Sequence, residues 1–367
     1  MNHLLMPQPS YPLNLLGTQR LAQPAWRGSG KGPHATCPTS RPLQQLAYFI
    51  ALCILFALPL DAHADWHRQQ AAIMGTAIDV ELWHADTEQA RSLTQSVLDE
   101  MHRIDNLMST YKPDSELSFI NANAAEGPVT VSTELLSLII RALDYSVITA
   151  GAFDITYASA GQYYDYRNGI KPSDRQLQQA LPAINYRHVK IDPKTSTIEF
   201  MRQGVRIDLG GIAKGYAVDR SMEILRNAGV ENAIVSAGGD SRVIGKRRDR
   251  PWNVGIRHPR NRDSIVSMIP LENSAISTSG DYERYFEEGG VRYHHIINPG
   301  TGKSTHEVHS SSIIGAVATD TDALSTSVFV LGVAEGLQLI NSLPDTEAVI
   351  IDSQGRMHYS AGLAQVQ

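Results

Sequence analysis

Cysteine is nearly missing from this sequence. Of 367 residues only Cys37 and Cys53 are cysteine, and both fall within the first 64. From Asp65 onward disulfides, thiol catalysis and cysteine-ligated metal are excluded, while export remains permissible. Basic excess is lacking too. The formal net charge is −6, and an acidic chain has no general means of holding nucleic acid. Neither H-E-x-x-H nor C-x-x-C occurs after residue 64, which argues against zinc. The phosphate loop G-x-x-x-x-G-K-[ST] and the dinucleotide fingerprint G-x-G-x-x-G are also absent, so neither nucleotide fold is supported.

What is present begins with LAYFIALCILFALPL (46–60), a 15-residue apolar run. It is short for a membrane span and the right size for the core of a secretory signal. Arg20, Arg27, Lys31 and Arg41 precede it without an acid, and Ala62-His63-Ala64 follows as an A-x-A cleavage signal. The expectation is an exported, periplasmic product, free or held at the inner membrane. Residues 1–64 are then extension and signal, and 65–367 the working domain. Cys53 admits a lipoprotein reading, although bulky Leu52 stands where such sites need a small residue. The first 64 residues carry four basic groups and one acid, so their removal takes the charge from −6 to −9.

In the remainder, TAIDVELW (76–83) alternates Ile78, Val80 and Leu82 with Asp79 and Glu81, the period of a half-buried strand. Asp86 and Gln89 suit a capping box before Ala90, Leu93, Val97, Met101, Ile104 and Leu107 at helical spacing. A second helix starts near Ser132 and stops at Gly151; a third spans about 212–227, ended by Gly229. From residue 232 the chain is strand-rich, with a short helix near 334–342 and a closing hairpin. Strands and helices mix without regular βαβ alternation. The expected fold is a single α+β unit with mixed, largely antiparallel sheet.

Three stretches bear chemistry. VRIDLGGIAKGYAVD (205–219) reads as a strand ending in Asp208, a Gly210-Gly211 junction and a helix carrying Lys214. Such a junction lets backbone N–H groups and a lysine approach a phosphate, though a glycine pair also makes an ordinary tight turn. HHIINPGTGKS (294–304) ends a strand in an Asn-Pro-Gly turn; His294 and His295 alternate faces, so one at most points into a given site. In ATDTDALSTSVFVLG (318–332), Asp320 or Thr321 can cap a helix beginning near Asp322. On that helix Asp322 and Thr326 share one face and one turn, two hard oxygens suited to Mg²⁺. Both readings stand on the stretch alone. Tyr111 and Phe153 sit in loops where a ring either stacks on a flat ligand or plugs the core. The basic run 246–250, without interleaved aromatics, reads as a solvated hairpin tip.

Taken in order, Met74-Gly75-Thr76, MSTYKPDSELSFIN (108–121), GAFDIT (151–156), DLGGIAKGYAVD (208–219), AGGD (237–240), HHIINPGTGK (294–303) and TDALSTSVFVLG (321–332) resemble the motif series of the FAD:protein FMN transferases, the ApbE family. The resemblance implies an enzyme that takes FAD and Mg²⁺, transfers FMN to a threonine hydroxyl of a target protein, and releases AMP. Implied targets are subunits of membrane redox complexes, of the sodium-pumping NADH:quinone reductase or Rnf type. By match to the motifs, Asp322 and Thr326 look like Mg²⁺ ligands, joined by the carbonyl of Ala213. Met74, Tyr111, Ala152, Phe153, Asp208, Lys214, His295, Ile296 and Ile297 would line the FAD site, with His295 handling the acceptor's proton. Two departures stand out: Asn298-Pro299-Gly300 where the family often has an acid and an arginine, and Asp240 where asparagine is frequent. An FAD pyrophosphatase and a non-catalytic flavin carrier are the competing readings.

Overall fold

The computed structural model describes residues 64–364, which form one compact unit. The signal run, the cleavage signal ahead of Ala64 and Cys53 lie outside the described residues. Eight strands make the main sheet: β1 Asp65–Ile73, β2 Thr76–His84, β3 Ala233–Ala237, β4 Asp240–Ile244, β5 Ala275–Gly280, β6 Val308–Gly315, β7 Glu347–Asp352 and β8 Met357–Tyr359. Their order across the sheet is their order along the chain. Every ladder among the described residues is antiparallel.

Strand alternation sorts the sheet into two faces. Ile78, Val80 and Leu82 of β2 join Ala233, Val235 and Ala237 of β3 in the main core, beneath the helices. Val243 and Ile276 point the other way and pack with Trp252, Ile256 and Leu271 of the hairpin Trp252–His258/Asn261–Leu271. Five helices matter for the site: α1 Thr87–Met108, α2 Glu116–Asn123, α3 Thr133–Ile148, α4 Ala213–Asn227 and α5 Ala318–Ser342. Asp86 caps α1 by accepting from the N–H groups of Glu88 and Gln89, and Ser132 caps α3 through Leu135 N–H. The buried stripe Ala90, Val97, Met101 and Ile104 holds α1 to the core, each large apolar side chain there contributing roughly 1.5–3 kcal/mol.

Three expectations need correction. Residues 205–209 are not a strand; they run extended without a ladder, Ile207 N–H donating to Asn121 and Asp208 N–H to the Ile155 carbonyl. The helix expected near 334–342 is the far half of α5, kinked at Gly332. That glycine has φ +82°, and a Cβ on it would stand 2.5 Å from the Glu307 carboxylate, which accepts from Val333 N–H and restarts the helix. Nor does Asp320 or Thr321 cap α5. It begins earlier, at Ala318, and its cap comes from α4: Asp219 accepts from Ala318 N–H at 2.9 Å and Thr319 N–H at 2.8 Å. Asp320 pairs instead with Arg141 of α3. α5 is long and apolar enough to cross a membrane, but half of its most apolar stretch is buried within the fold. It is the core helix over β5 and β6, with Val328 and Phe329 fully enclosed.

Candidate active site

The site lies where two turns at one end of the sheet meet α4 and α5. Met74 and Gly75, with φ +55° and +68°, join β1 to β2 in a tight hairpin turn; paired positive φ values are what such turns require. Gly238 and Gly239 join β3 to β4. A Cβ on Gly238 would meet Thr76 Oγ1 at 2.4 Å, and one on Gly239 the Thr278 carbonyl at 2.5 Å. These close approaches deliver Asp240, at the start of β4, beneath α4.

From α4, Lys214 Nζ reaches Asp240 Oδ2 at 2.5 Å and Asp322 Oδ1 at 3.3 Å. Gly215 N–H donates to Asp322 Oδ2 at 2.9 Å. Two buried carboxylates thus face one ammonium. Burial would lower the lysine's pKa, but Asp240 and Asp322 together hold it above its ordinary value. Burial, reinforced by the Asp240 charge, pushes the Asp322 carboxyl up to about 7. The cluster is short of positive charge.

Thr326, one turn beyond Asp322, is held by Ser279 Oγ at 3.3 Å, and Ser279 also bonds Ser325 at 2.8 Å. A Cβ on Gly211 would crowd Phe153 at 3.1 Å and Thr326 Oγ1 at 3.3 Å. Ala213 is the first residue of α4, whose N-cap, Ile212, offers no side-chain bond. No group of three or more His, Cys, Asp or Glu residues suited to a metal exists among the described residues. The oxygen set of one carboxylate, one hydroxyl and one carbonyl still fits Mg²⁺, which keeps waters and substrate phosphates as its remaining ligands. The excess carboxylate charge on Lys214 is what a divalent cation would neutralise.

Asp208 organises the junction before α4. Its carboxylate accepts from Thr110 Oγ1 at 2.8 Å, Tyr157 OH at 2.9 Å and Gly210 N–H at 2.7 Å. Phe153 is a core plug, 4% exposed and edge-on to Tyr145, so its ring does not stack on a ligand. Ala152, beside it, donates its N–H to the Thr149 carbonyl. Tyr111 is 84% exposed and free to stack.

The two histidines divide as strand alternation requires. His294 is buried, its Nε2 at 2.5 Å from the Thr305 carbonyl and its Nδ1 facing Ile296 N–H at 3.3 Å. His295 is half-buried, and its Nδ1 has no hydrogen-bond partner. Burial first, then the charge of Arg284 and the neighbours His294 and Lys214, push it down to about 3. It therefore stands neutral among cations. Ile296 and Ile297 are buried behind it, and Asn298 closes the turn by accepting from Gly300 N–H at 2.8 Å.

Asp240, Ser279 and Arg284 were not expected as site residues. Asp240 appeared only as a departure from a motif, and Ser279 and Arg284 carry no motif of their own. A separate cleft of about 320 Å³ lies beside α4, lined by Arg141, Arg220, Arg226, Arg242 and Asp219 among others. It contains none of the assigned residues. Three of its arginines are already tied, to Asp320, to Glu100 and Glu223, and to Asp219.

This geometry has relatives. The model of the ApbE family matches residues 74–350, spanning every residue of the site. The chain belongs to the ApbE family. The FAD:protein FMN transferase of Treponema pallidum (strain Nichols) is 33% identical over 76% of this chain and 80% of its own length. That of Vibrio cholerae (strain O395) is 32% identical over 81% of this chain and 92% of its own. Among solved structures, the ApbE protein of Thermotoga maritima superposes with a TM-score of 0.76 at 34% identity, covering 82% of this chain and 99% of that one. The flavin transferase ApbE from Vibrio cholerae gives 0.74 at 27% identity, covering 82% and 99%. The mixed helix and antiparallel-sheet architecture is thus the ApbE fold.

Proposed function

We propose that this chain is an FAD:protein FMN transferase, moving FMN from FAD onto a threonine hydroxyl of an exported target protein. Support comes from family membership and from one observation above all: Lys214, Asp240 and Asp322 converge beside a neutral His295. In the reaction the acceptor oxygen forms a bond to the FMN phosphorus, the bond from that phosphorus to the AMP oxygen breaks, and AMP leaves. The hydroxyl proton goes to His295.

The free-site basicity of His295 is low first because the ring is buried and then because the charges of Arg284, His294 and Lys214 face it. FAD brings a doubly negative pyrophosphate to those same cations, which offsets their field and raises the imidazole's basicity by that part of the shift. General-base help of this kind is worth roughly 10²–10⁴-fold. Lys214 neutralises phosphate charge in place. Asp322, Thr326 and the Ala213 carbonyl would hold Mg²⁺, which supplies further neutralisation of the pyrophosphate when bound. Tyr111 offers its exposed ring to the flavin.

The proposed acceptors are subunits of sodium-pumping NADH:quinone reductase or Rnf-type complexes, met in the periplasm after cleavage before Asp65. The test incubates protein 65–367 with FAD, Mg²⁺ and such a subunit and follows intact mass. The expected result is an acceptor carrying FMN as a phosphoester, with AMP in equal amount. Free FMN and AMP beside an unmodified acceptor would make the protein an FAD pyrophosphatase. Terminal sequencing of the exported product should begin at Asp65; a lipidated Cys53 would overturn that cleavage.

A further inference from the structure

We propose that Arg284 is a substrate-binding residue that grips the FAD pyrophosphate beside the Met74–Gly75 turn. The inference rests on FAD being the substrate. Its guanidinium lies on the Met74–Gly75 turn, Nη2 standing 3.0 Å from where a Gly75 Cβ would be. Glycine is what lets it lie there. The Arg284 carbonyl accepts from His295 N–H at 3.1 Å, tying the residue to the imidazole that faces the reacting group. The side chain's charge is the strongest that His295 feels.

Arg284 is also uncommitted. The nearby Arg260 and Arg292 are both spent on Asp281, whereas no carboxylate among the described residues pairs with Arg284, which is exposed. Charge balance points the same way. With Asp322 ionised by a bound cation, Asp240 and Asp322 against Lys214 leave one negative charge, and the pyrophosphate adds two. A divalent cation removes two, and one further unpaired cation is needed to close the account. Arg284 supplies it, with a planar fork of donors suited to two phosphate oxygens.

The experiment titrates wild type, Arg284→Ala and Arg284→Lys with FAD and with riboflavin, which lacks phosphate, following flavin fluorescence in Mg²⁺ buffer. Arg284→Ala should weaken FAD by about 10–100-fold, the weight of a hydrogen bond to a charged group, and leave riboflavin unchanged. Arg284→Lys should recover part of the loss, since it keeps the charge without the fork. The FAD affinity of Arg284→Ala should also depend less steeply on NaCl. Urea midpoints equal to wild type are expected from an exposed, unpaired side chain. If FAD and riboflavin weaken in step, or if Arg284→Ala binds FAD like wild type, the assignment is wrong while the transferase reading stands. A wild-type protein that binds no FAD overturns both.

Discussion

Gly215→Ala sets two effects of known size against each other. In an open helix interior alanine is favoured over glycine by about 1 kcal/mol, so propensity alone makes the variant more stable. At Gly215 the new methyl would stand 2.2 Å from the Ala318 carbonyl oxygen and 2.8 Å from Asp322 Cβ. A carbon normally approaches a carbonyl oxygen no closer than about 3.3 Å, so α4 and α5 must part by about 1 Å. The obstacle is backbone, held by the Asp219 cap, and cannot rotate away. Overpacking of this kind costs about 1–3 kcal/mol and occasionally more. The expected net effect is destabilisation of about 1–3 kcal/mol, read from the urea midpoint at unchanged slope. The same displacement breaks the Gly215 to Asp322 hydrogen bond and separates Lys214 from its partners. Turnover should fall with it, by up to about 10²-fold for a 1 Å misplacement. A Gly215→Ala protein as stable as wild type, or more so, would refute the helix contact as the constraint.

Asp322→Ala should abolish transfer while FAD binding survives in part, and isothermal titration with Mg²⁺ should lose its heat; a fully active variant would sink the metal assignment. His294 bears on acid stability. Burial holds its ring near 4 when folded, against about 6.5 unfolded. The unfolded chain therefore binds the extra proton first. The His294 contribution is complete above about pH 6.5 and is lost as pH falls towards 4, by about 3 kcal/mol. Urea midpoints measured from pH 7 to 4 should fall more gently in His294→Gln than in wild type, and parallel curves would show that another group dominates.

Much of this fold was legible because it is written locally. Ala90, Val97, Met101 and Ile104 announce α1 by their spacing, and Asp86 and Ser132 announce its start and that of α3. Asp322 and Thr326 share a turn of any helix they occupy. What escaped was set by distant partners. The cap of α5 comes from Asp219, a hundred residues upstream, so hydroxyls and acids near residue 320 misled as to where the helix begins. Gly332 carries positive φ within a helix, which periodicity reads as two helices. Phe153 offers an aromatic in a loop, and only packing against Tyr145 makes it a plug. Asp240 meets Lys214 and Asp322, and Arg284 meets the Gly75 turn, across long stretches of chain, so no spacing rule reaches them.

The chain-ordered sheet has a kinetic consequence. Most neighbouring strands are joined by modest excursions, but β2 pairs with β3 only after the chain has passed through residues 85–232. Closing so long a loop adds little to the equilibrium cost, which grows only logarithmically, yet it slows the search for the right pairing. The Gly238 N–H to Ala77 carbonyl bond, at 2.9 Å, sits at this seam. It brings the turn that carries Met74 beside the turn that precedes Asp240. The turn-by-turn bonds of α1 and α3 need no such closure, each lying within one stretch of chain. A chain halted short of the seam therefore has helical content and no flavin pocket, and during refolding the quenching of added FAD should be the last signal to appear.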